Sequence, residues 1–94
     1  VDEKRKITVY RIAQEQCTNI IKYAHATRVD IKLRINEKDL QLVIRDNGVG
    51  METGKSTDGI GIRNMRGRVS IYGGSLSIDT APGKGFKLTV TIPR

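Results

Sequence analysis

Two alternating apolar segments joined by a short turn constrain the fold of this chain more than any other feature. Their apolar positions are Val29, Ile31, Leu33 and Ile35 in the first segment and Leu40, Leu42 and Ile44 in the second. A period of two is typical of β-strands with one buried face. Residues 36–39 between the segments form a tight loop, so we expect an antiparallel hairpin.

A glycine-containing turn follows the second strand, with the sequence Asp-Asn-Gly-Val-Gly-Met at residues 46–51. Gly48 and Gly50 let the backbone turn sharply and let a ligand approach closely. Asp46, at the mouth of the turn, can accept two hydrogen bonds, for instance from an exocyclic amine and from water. The same residues are common in ordinary turns, which is the alternative interpretation of this segment taken alone.

Residues 7–24 have the apolar spacing of one long amphipathic helix. The expected core face consists of Val9, Ala13, Cys17, Ile20 and Ala24. Cys17, the single cysteine, is therefore predicted to be a buried free thiol. On another face Glu15, Asn19 and Lys22 converge, because they are spaced four and three residues apart. For this helix taken alone, a solvated face with a few side-chain pairs is the favoured explanation of these three polar residues.

A second helix is predicted after a polar, Gly-rich loop at residues 52–59, which could close over a ligand. Its apolar stripe is Ile62, Met65, Val69 and Tyr72, and Gly73-Gly74 should end it. Gly59 and Gly61 lead into its first turn, where free N–H groups favour an anion. Three arginines, Arg63, Arg66 and Arg68, add positive charge there.

The chain closes with a strand around Leu76 and Ile78, a turn at residues 81–83, and a strand from Phe86 to Ile92. The order helix, hairpin, loop, helix, hairpin predicts a two-layer α/β (α+β) sandwich. Its sheet should be mixed or largely antiparallel, with helices packed on one face. We expect one domain, residues 1–94, and interpret it as a fragment of a longer protein because it begins without Met.

The composition narrows the function without naming it. Seventeen Lys and Arg against ten Asp and Glu give a net charge of +7. This charge favours polyanions, including nucleic acids, acidic lipids, nucleotide phosphates and acidic proteins. Aromatic residues do not alternate with basic ones, so a single-strand stacking platform is not indicated. The sequence shows neither an apolar run of membrane-spanning length nor a signal-peptide pattern at its start.

Three common ligand motifs are excluded. The sequence around Gly54-Lys55-Ser56 is not a P-loop, because Val49 occupies the position of the required first glycine. Gly59 and Gly61 do not open a dinucleotide fingerprint, because Asn64 replaces the third glycine. His25 and Cys17 are single, so no His or Cys cluster has metal-ligand spacing.

Four segments in order resemble the N, G1, G2 and final glycine motifs of the GHKL ATPases. They are residues 15–24, 46–51, 59–62 and 83–85. That family includes gyrase, heat-shock chaperone, histidine kinase and mismatch-repair ATPases. The short lid, together with the second-helix sequence and the Tyr-Gly-Gly that follows it, is similar to sensor histidine kinases that pair with helix-turn-helix response regulators. The resemblance implies the Bergerat-type ATP-binding fold.

The resemblance also implies a role for each matching residue. Asp46 would accept a hydrogen bond from the adenine amine, which guanine cannot supply. Asn19 would offer its carbonyl oxygen to Mg²⁺, and Glu15 would polarise the group that attacks the γ-phosphate. Lys22 would contact phosphate. The remaining expected nucleotide contacts are Gly48, Gly50, Met51, Gly59, Gly61, Ile62 and Gly85.

This sequence departs from the family pattern at three positions. Phe86 stands where Thr or Ser usually follows the last glycine, so a hydroxyl that supports the adenine contact is missing. Tyr23 replaces a common His. Gly67 replaces a common Glu and should weaken the second helix by up to about 1 kcal/mol. The chain has no phosphoacceptor helix, so by itself it should bind ATP without autophosphorylating.

We therefore expect the ATP-binding catalytic domain of a sensor histidine kinase. Its partners would be the phosphoacceptor and dimerisation domain of the same parent and a response regulator, with no specific nucleic acid. The chain should be cytoplasmic and outside the membrane, while the parent could be anchored in the inner membrane. The alternatives are an anti-sigma-type serine kinase and a non-catalytic module that binds nucleotide or nucleic acid.

Overall fold

Four antiparallel strands form the sheet of the computed structural model, which describes residues 3–49 and 60–94. They are β1 (Val29–Ile35), β2 (Asp39–Asp46), β3 (Ser75–Thr80) and β4 (Phe86–Pro93). Their spatial order is β1-β2-β4-β3, so β4 lies between β2 and β3. The predicted hairpin is confirmed, because Ile35 pairs with Leu40 and residues 36–39 connect them. Asp39, the first residue of β2, pairs with Pro93 on β4. Of the two sheet types predicted, the described strands form the antiparallel one.

The helices pack on one face of this sheet. They are α1 (Glu3–Asn19), which continues into a π-helical turn (Ile20–Ala24), and α2 (Ile60–Ser70). Helix α1 contacts β2, and α2 contacts β3 and β4. The predicted two-layer α/β sandwich is therefore confirmed.

The core lies between the helices and the two central strands. On this face three cross-strand pairs join β2 to β4: Leu40 with Ile92, Leu42 with Val90, and Ile44 with Leu88. All six side chains are at most 2% exposed. Full burial of each such side chain stabilises the fold by about 1.5 to 3 kcal/mol. Alternation along β2 and β4 thus fixes which face receives the helices.

The buried stripe of α1 differs from the predicted one. The helix begins at Glu3 rather than at residue 7, and its buried residues, with the first of the π-turn, are Thr8, Val9, Ile12, Gln16 and Ile20. Cys17 is a free thiol that is only partly buried, so the prediction of a buried thiol is wrong. Neighbouring positions on a helix are about 100° apart, so a small rotation of the helix exchanges residues 12 and 16 for 13 and 17.

Strand β1 is also more exposed than predicted. Its apolar side chains point to the helix side of the sheet, yet Val29, Ile31, Leu33 and Ile35 are between 42% and 54% exposed. The reason is position: β1 is an edge strand, and the helices lie over the other three. The alternating pattern correctly predicted the strand. The prediction that its apolar face is buried is wrong.

Two features fix the ends of the helices. The Arg5 Nε donates a hydrogen bond to Pro93 O at 3.0 Å, and its guanidinium lies 4.9 Å from the centre of the Tyr72 ring. These contacts join the start of α1 to the end of β4 and to the turn after α2. Gly73 has a φ of 71°, so the predicted glycine termination of α2 is confirmed.

Gln16 is expected to reduce the stability of the fold. It is 3% exposed, and its Oε1 accepts no hydrogen bond. A buried carbonyl without a partner costs about 1 to 3 kcal/mol. We expect Gln16→Met to raise the free energy of unfolding by about 1 kcal/mol, measured by urea denaturation. Gln14→Met, at an exposed position of the same helix, should change it little; a destabilised Gln16→Met would contradict this prediction.

Candidate functional site

The turn after β2 is held from one side by the side chain of Asn47. Its Oδ1 accepts hydrogen bonds from the backbone N–H groups of Thr27 and Arg28, both at 2.9 Å. Its Nδ2 donates to the Thr27 hydroxyl, also at 2.9 Å. The backbone N–H of Asn47 donates to Arg28 O at 3.2 Å. The turn is thereby fastened to the connection between α1 and β1.

The same turn lies directly against the end of the π-helical turn. The Val49 N–H donates to Ala24 O at 2.8 Å. At Gly48, an added Cβ would collide with that carbonyl oxygen and would lie 2.9 Å from the Ala24 Cβ. Position 48 therefore requires glycine because a backbone passes close by, in addition to any approach of a ligand.

The turn between β3 and β4 closes the opposite side. The Gly83 N–H donates to Val49 O at 2.6 Å. Gly85 has a φ of 76°, and a Cβ there would collide with Asp46 O. The Thr80 hydroxyl donates to Gly85 O at 2.7 Å. Three of the predicted site residues, Asp46, Gly48 and Gly85, are thus brought together by backbone packing.

Asp46 presents a buried carboxylate at this junction. Its side chain is 5% exposed, and its Oδ1 accepts the Gly48 N–H at 2.8 Å. Its Oδ2 is buried and has no hydrogen-bond partner. Burying an acceptor without a donor is costly, so this oxygen is available to a ligand that carries an N–H group.

The polar face of α1 reaches the same end of the sheet through a change in helix type. Glu15 and Asn19 lie on α1, and Lys22 lies in the π-helical turn that begins directly after Asn19. Glu15 and Lys22 are exposed and Asn19 is half-buried. The wider turn changes the angular position of Lys22 relative to ideal α-helical spacing, and π-turns are frequent at functional sites. No sequence signal predicted this turn.

Glu15 also lines an open groove between α1 and α2. The groove has a volume of about 760 Å³, and its polar lining includes Arg11, Glu15, Asn64 and Arg68. Asp46 does not line this groove. Glu15 on α1 and Asp46, the residue expected to bind the base, therefore do not line the same groove.

The start of α2 has the form expected of an anion site. The helix begins at Ile60, so Gly61 and Ile62 lie in its first turn, and the Ile62 side chain packs in the core. The Arg66 Nη1 donates to Leu76 O at 2.9 Å and so anchors α2 to β3, while its guanidinium keeps its positive charge. The predicted contacts Gly50, Met51 and Gly59 lie outside the described residues.

The part of the chain that the structure describes was compared with the requirements of a metal site and of a membrane span. Within residues 3–49 and 60–94, no group of three or more His, Cys, Asp or Glu could hold a metal ion. None of the helices in these ranges reaches the length and hydropathy of a membrane span.

The sequence matches one family along almost its whole length. A family model described as histidine kinase-, DNA gyrase B-, and HSP90-like ATPase covers residues 4–94. The histidine-protein kinase/phosphatase UhpB of Salmonella typhimurium is 35% identical over 100% of this chain and 18% of UhpB. The oxygen sensor histidine kinase NreB of Staphylococcus carnosus is 31% identical over 98% of this chain and 27% of NreB. The chain thus spans less than a third of either relative.

Solved structures share the fold. The ATP binding domain of PrrB from Mycobacterium tuberculosis superposes with a TM-score of 0.77 at 21% identity, covering 93% of this chain and 67% of that one. The histidine kinase AdeS of Acinetobacter baumannii gives 0.77 at 20% identity, covering 92% and 45%. The likeness supports the predicted two-layer architecture.

Gly48 is expected to tolerate no side chain. Gly48→Ala would place a methyl group against the Ala24 carbonyl, and we expect it to lower the free energy of unfolding by about 2 kcal/mol or more. Gly67→Ala is the matched control, because a Cβ at that position of α2 meets nothing within 4 Å. It should raise the free energy by about 0.5 to 1 kcal/mol. Chemical denaturation measures both, and equal effects would contradict the packing described above.

Proposed function

Since the chain belongs to the family of histidine kinase-, DNA gyrase B- and HSP90-like ATPases, we propose that it is the ATP-binding catalytic domain of a sensor histidine kinase. It would phosphorylate a histidine on the phosphoacceptor and dimerisation domain of its parent protein, for relay to a response regulator. The names of the relatives UhpB and NreB support this proposal. The observation that carries it is the buried Asp46 carboxylate with one unpartnered oxygen.

Asp46 recognises the base. Its Oδ1 is occupied by the Gly48 N–H, which fixes the plane of the carboxylate and leaves Oδ2 to accept from the exocyclic amine of adenine. Guanine presents a carbonyl oxygen at the same ring position, and two acceptors would face each other. The site therefore selects ATP over GTP.

The phosphates would be bound by residues of three segments. Lys22 supplies a cation, and the free N–H groups at the start of α2, including Gly61, favour negative charge. Gly59 and Gly50 would let the backbone approach the nucleotide, with Met51 beside it. The backbone of Ile62 belongs to the same first turn of α2.

Asn19 is the residue proposed to hold Mg²⁺. Its amide oxygen is a hard ligand on a half-buried side chain, which fits a cation that completes its shell with phosphate oxygens and water. When bound, Mg²⁺ neutralises charge on the phosphates. Glu15, one helical turn earlier, would accept the proton of the attacking imidazole or orient it.

The partners follow from this assignment. The acceptor histidine would lie in another part of the parent, because the single histidine, His25, directly follows the π-helical turn that carries Lys22 and so belongs to the proposed phosphate-binding segment. The response regulator would be of the helix-turn-helix type, and the domain would work on the cytoplasmic side. The names of the relatives favour a histidine acceptor over a serine acceptor.

Nucleotide selection is tested by calorimetric titration with ATP and GTP in the presence of Mg²⁺. We expect saturable binding of ATP, weaker binding of GTP, and a roughly 10- to 100-fold loss of ATP affinity in Asp46→Asn. The asparagine would keep the shape of Asp46 while presenting an amide donor to the adenine amine. Asp79→Asn makes the same change at an exposed position of β3 and should leave the affinity unchanged.

Failure of ATP to bind to a chain with native circular dichroism would overturn the nucleotide site. A similar loss in both asparagine variants would show that net charge, rather than the Asp46 contact, governs affinity. Binding of DNA that weakens with salt and ignores ATP would favour the non-catalytic alternative.

Phosphoryl transfer is tested on the parent protein with labelled ATP. We expect an acid-labile phosphate, as phosphohistidine gives, and a loss of about 10²- to 10⁴-fold in rate for Glu15→Gln. ATP affinity should stay unchanged in that variant, because Glu15 lines the groove away from Asp46. An acid-stable phosphate would instead identify a serine kinase.

A further inference from the structure

The groove between α1 and α2 has the dimensions of a surface that binds a third helix. On α1 its lining extends from Ile7 to Thr18, and on α2 it extends from Asn64 to Arg68. At a rise of 1.5 Å per residue, the lining on α1 is about 16 Å long, which corresponds to about three helical turns. A helix laid along this groove could therefore contact both walls over several turns.

Two large apolar side chains of α1 are exposed in this groove. Ile7 is 49% exposed and Tyr10 is 63% exposed, whereas Met65, which lines the groove from α2, is 2% exposed. Ile7 and Tyr10 are three residues apart and so lie on one side of α1. Exposed aliphatic and aromatic side chains in a groove are typical contacts for the apolar face of an amphipathic helix.

Arginines flank these apolar side chains from both helices. Arg11 lies one turn after Ile7 on α1, and Arg68 lies in the last turn of α2. Both are exposed, and α2 contains three arginines and no acidic residue. The phosphates would bind at the first turn of α2, so Arg68 lies at the opposite end of that helix. The charge of the groove therefore favours a helix that has carboxylates beside its apolar residues.

Glu15 connects this groove with the proposed reaction, because it lines the same groove one turn after Arg11. We propose that the groove docks the phosphoacceptor helix of the parent protein through that helix's acidic and apolar residues. The acidic residues contact Arg11 and Arg68, and the apolar ones pack on Ile7 and Tyr10. A helix bound in this way lies beside Glu15, so its histidine is presented to the proposed base. This inference rests on the proposed kinase function.

The test measures phosphorylation of the parent protein at saturating labelled ATP, and ATP affinity of the same variants by calorimetry. We expect Arg11→Glu and Arg68→Glu each to lower the rate about 10-fold or more, because the reversed charge repels an acidic helix. ATP affinity should change by less than about twofold, because neither arginine is assigned to the nucleotide. Arg34→Glu makes the same charge change at an exposed position of β1 and should alter neither quantity.

Salt gives a second measurement that a purely structural role of the arginines would not produce. Raising the salt concentration should slow phosphorylation in the unmodified parent and accelerate it in the two groove variants. Screening weakens the attraction in the first case and the repulsion in the second.

Each outcome separates this inference from the function on which it rests. Unchanged rates in both groove variants would overturn the docking, and slower transfer from them to the response regulator would assign the groove to that partner instead. An equal loss in Arg34→Glu, or a fall in ATP affinity that accounts for the lower rate, would also overturn it. Failure of the unmodified parent to bind ATP or to form phosphohistidine would overturn the proposed function itself. Circular dichroism checks the folding of each variant, and if one does not fold, the variant on the other helix decides.

Discussion

The site depends on one close backbone contact, between the turn after β2 and the carbonyl of Ala24. The Val49 N–H reaches that carbonyl only because Gly48, immediately before it, has no Cβ. The Asn47 side chain binds the same turn to the connection between α1 and β1, and the Gly83 N–H binds it to the turn between β3 and β4. The backbone that follows Asp46 is therefore held by hydrogen bonds from several parts of the chain, and the Gly48 N–H of this turn binds the Asp46 carboxylate.

The sequence predicted where the strands lie, but it did not predict correctly which faces of β1 and α1 are buried. Alternation correctly identified β2 and β4, because both are central strands whose one face is covered by helices. The same alternation in β1 predicted a buried face that is largely exposed. A period of two reports which residues share a face, whereas coverage of that face depends on where the helices come to lie. For α1 a comparable ambiguity arose because Ile12 and Ala13 are both apolar neighbours.

For the candidate site, the order of motifs predicted which residues belong together, and the structure brings Asp46, Gly48 and Gly85 into one junction. Two features could not be predicted. The hydrogen bonds of Asn47 join residues about twenty positions apart, and Asn-Gly is an ordinary turn signal in any sequence. No residue pattern in Ile20–Ala24 distinguishes the π-helical turn from a continued α-helix. Both features arise from tertiary packing, which a local pattern does not encode.

Two buried side-chain atoms of the described residues lack a partner, and their positions give them different consequences. The Gln16 amide oxygen belongs to the buried stripe of α1, where it only lowers stability. The Asp46 oxygen lies at the last residue of β2, next to the exposed Asn47, where a ligand can supply the missing donor. The folded state carries the cost of burying that oxygen, and a ligand that donates an N–H to it would relieve this cost. Its register partners, Phe86 and Val29, are apolar, so neither of these two side chains can supply the missing donor.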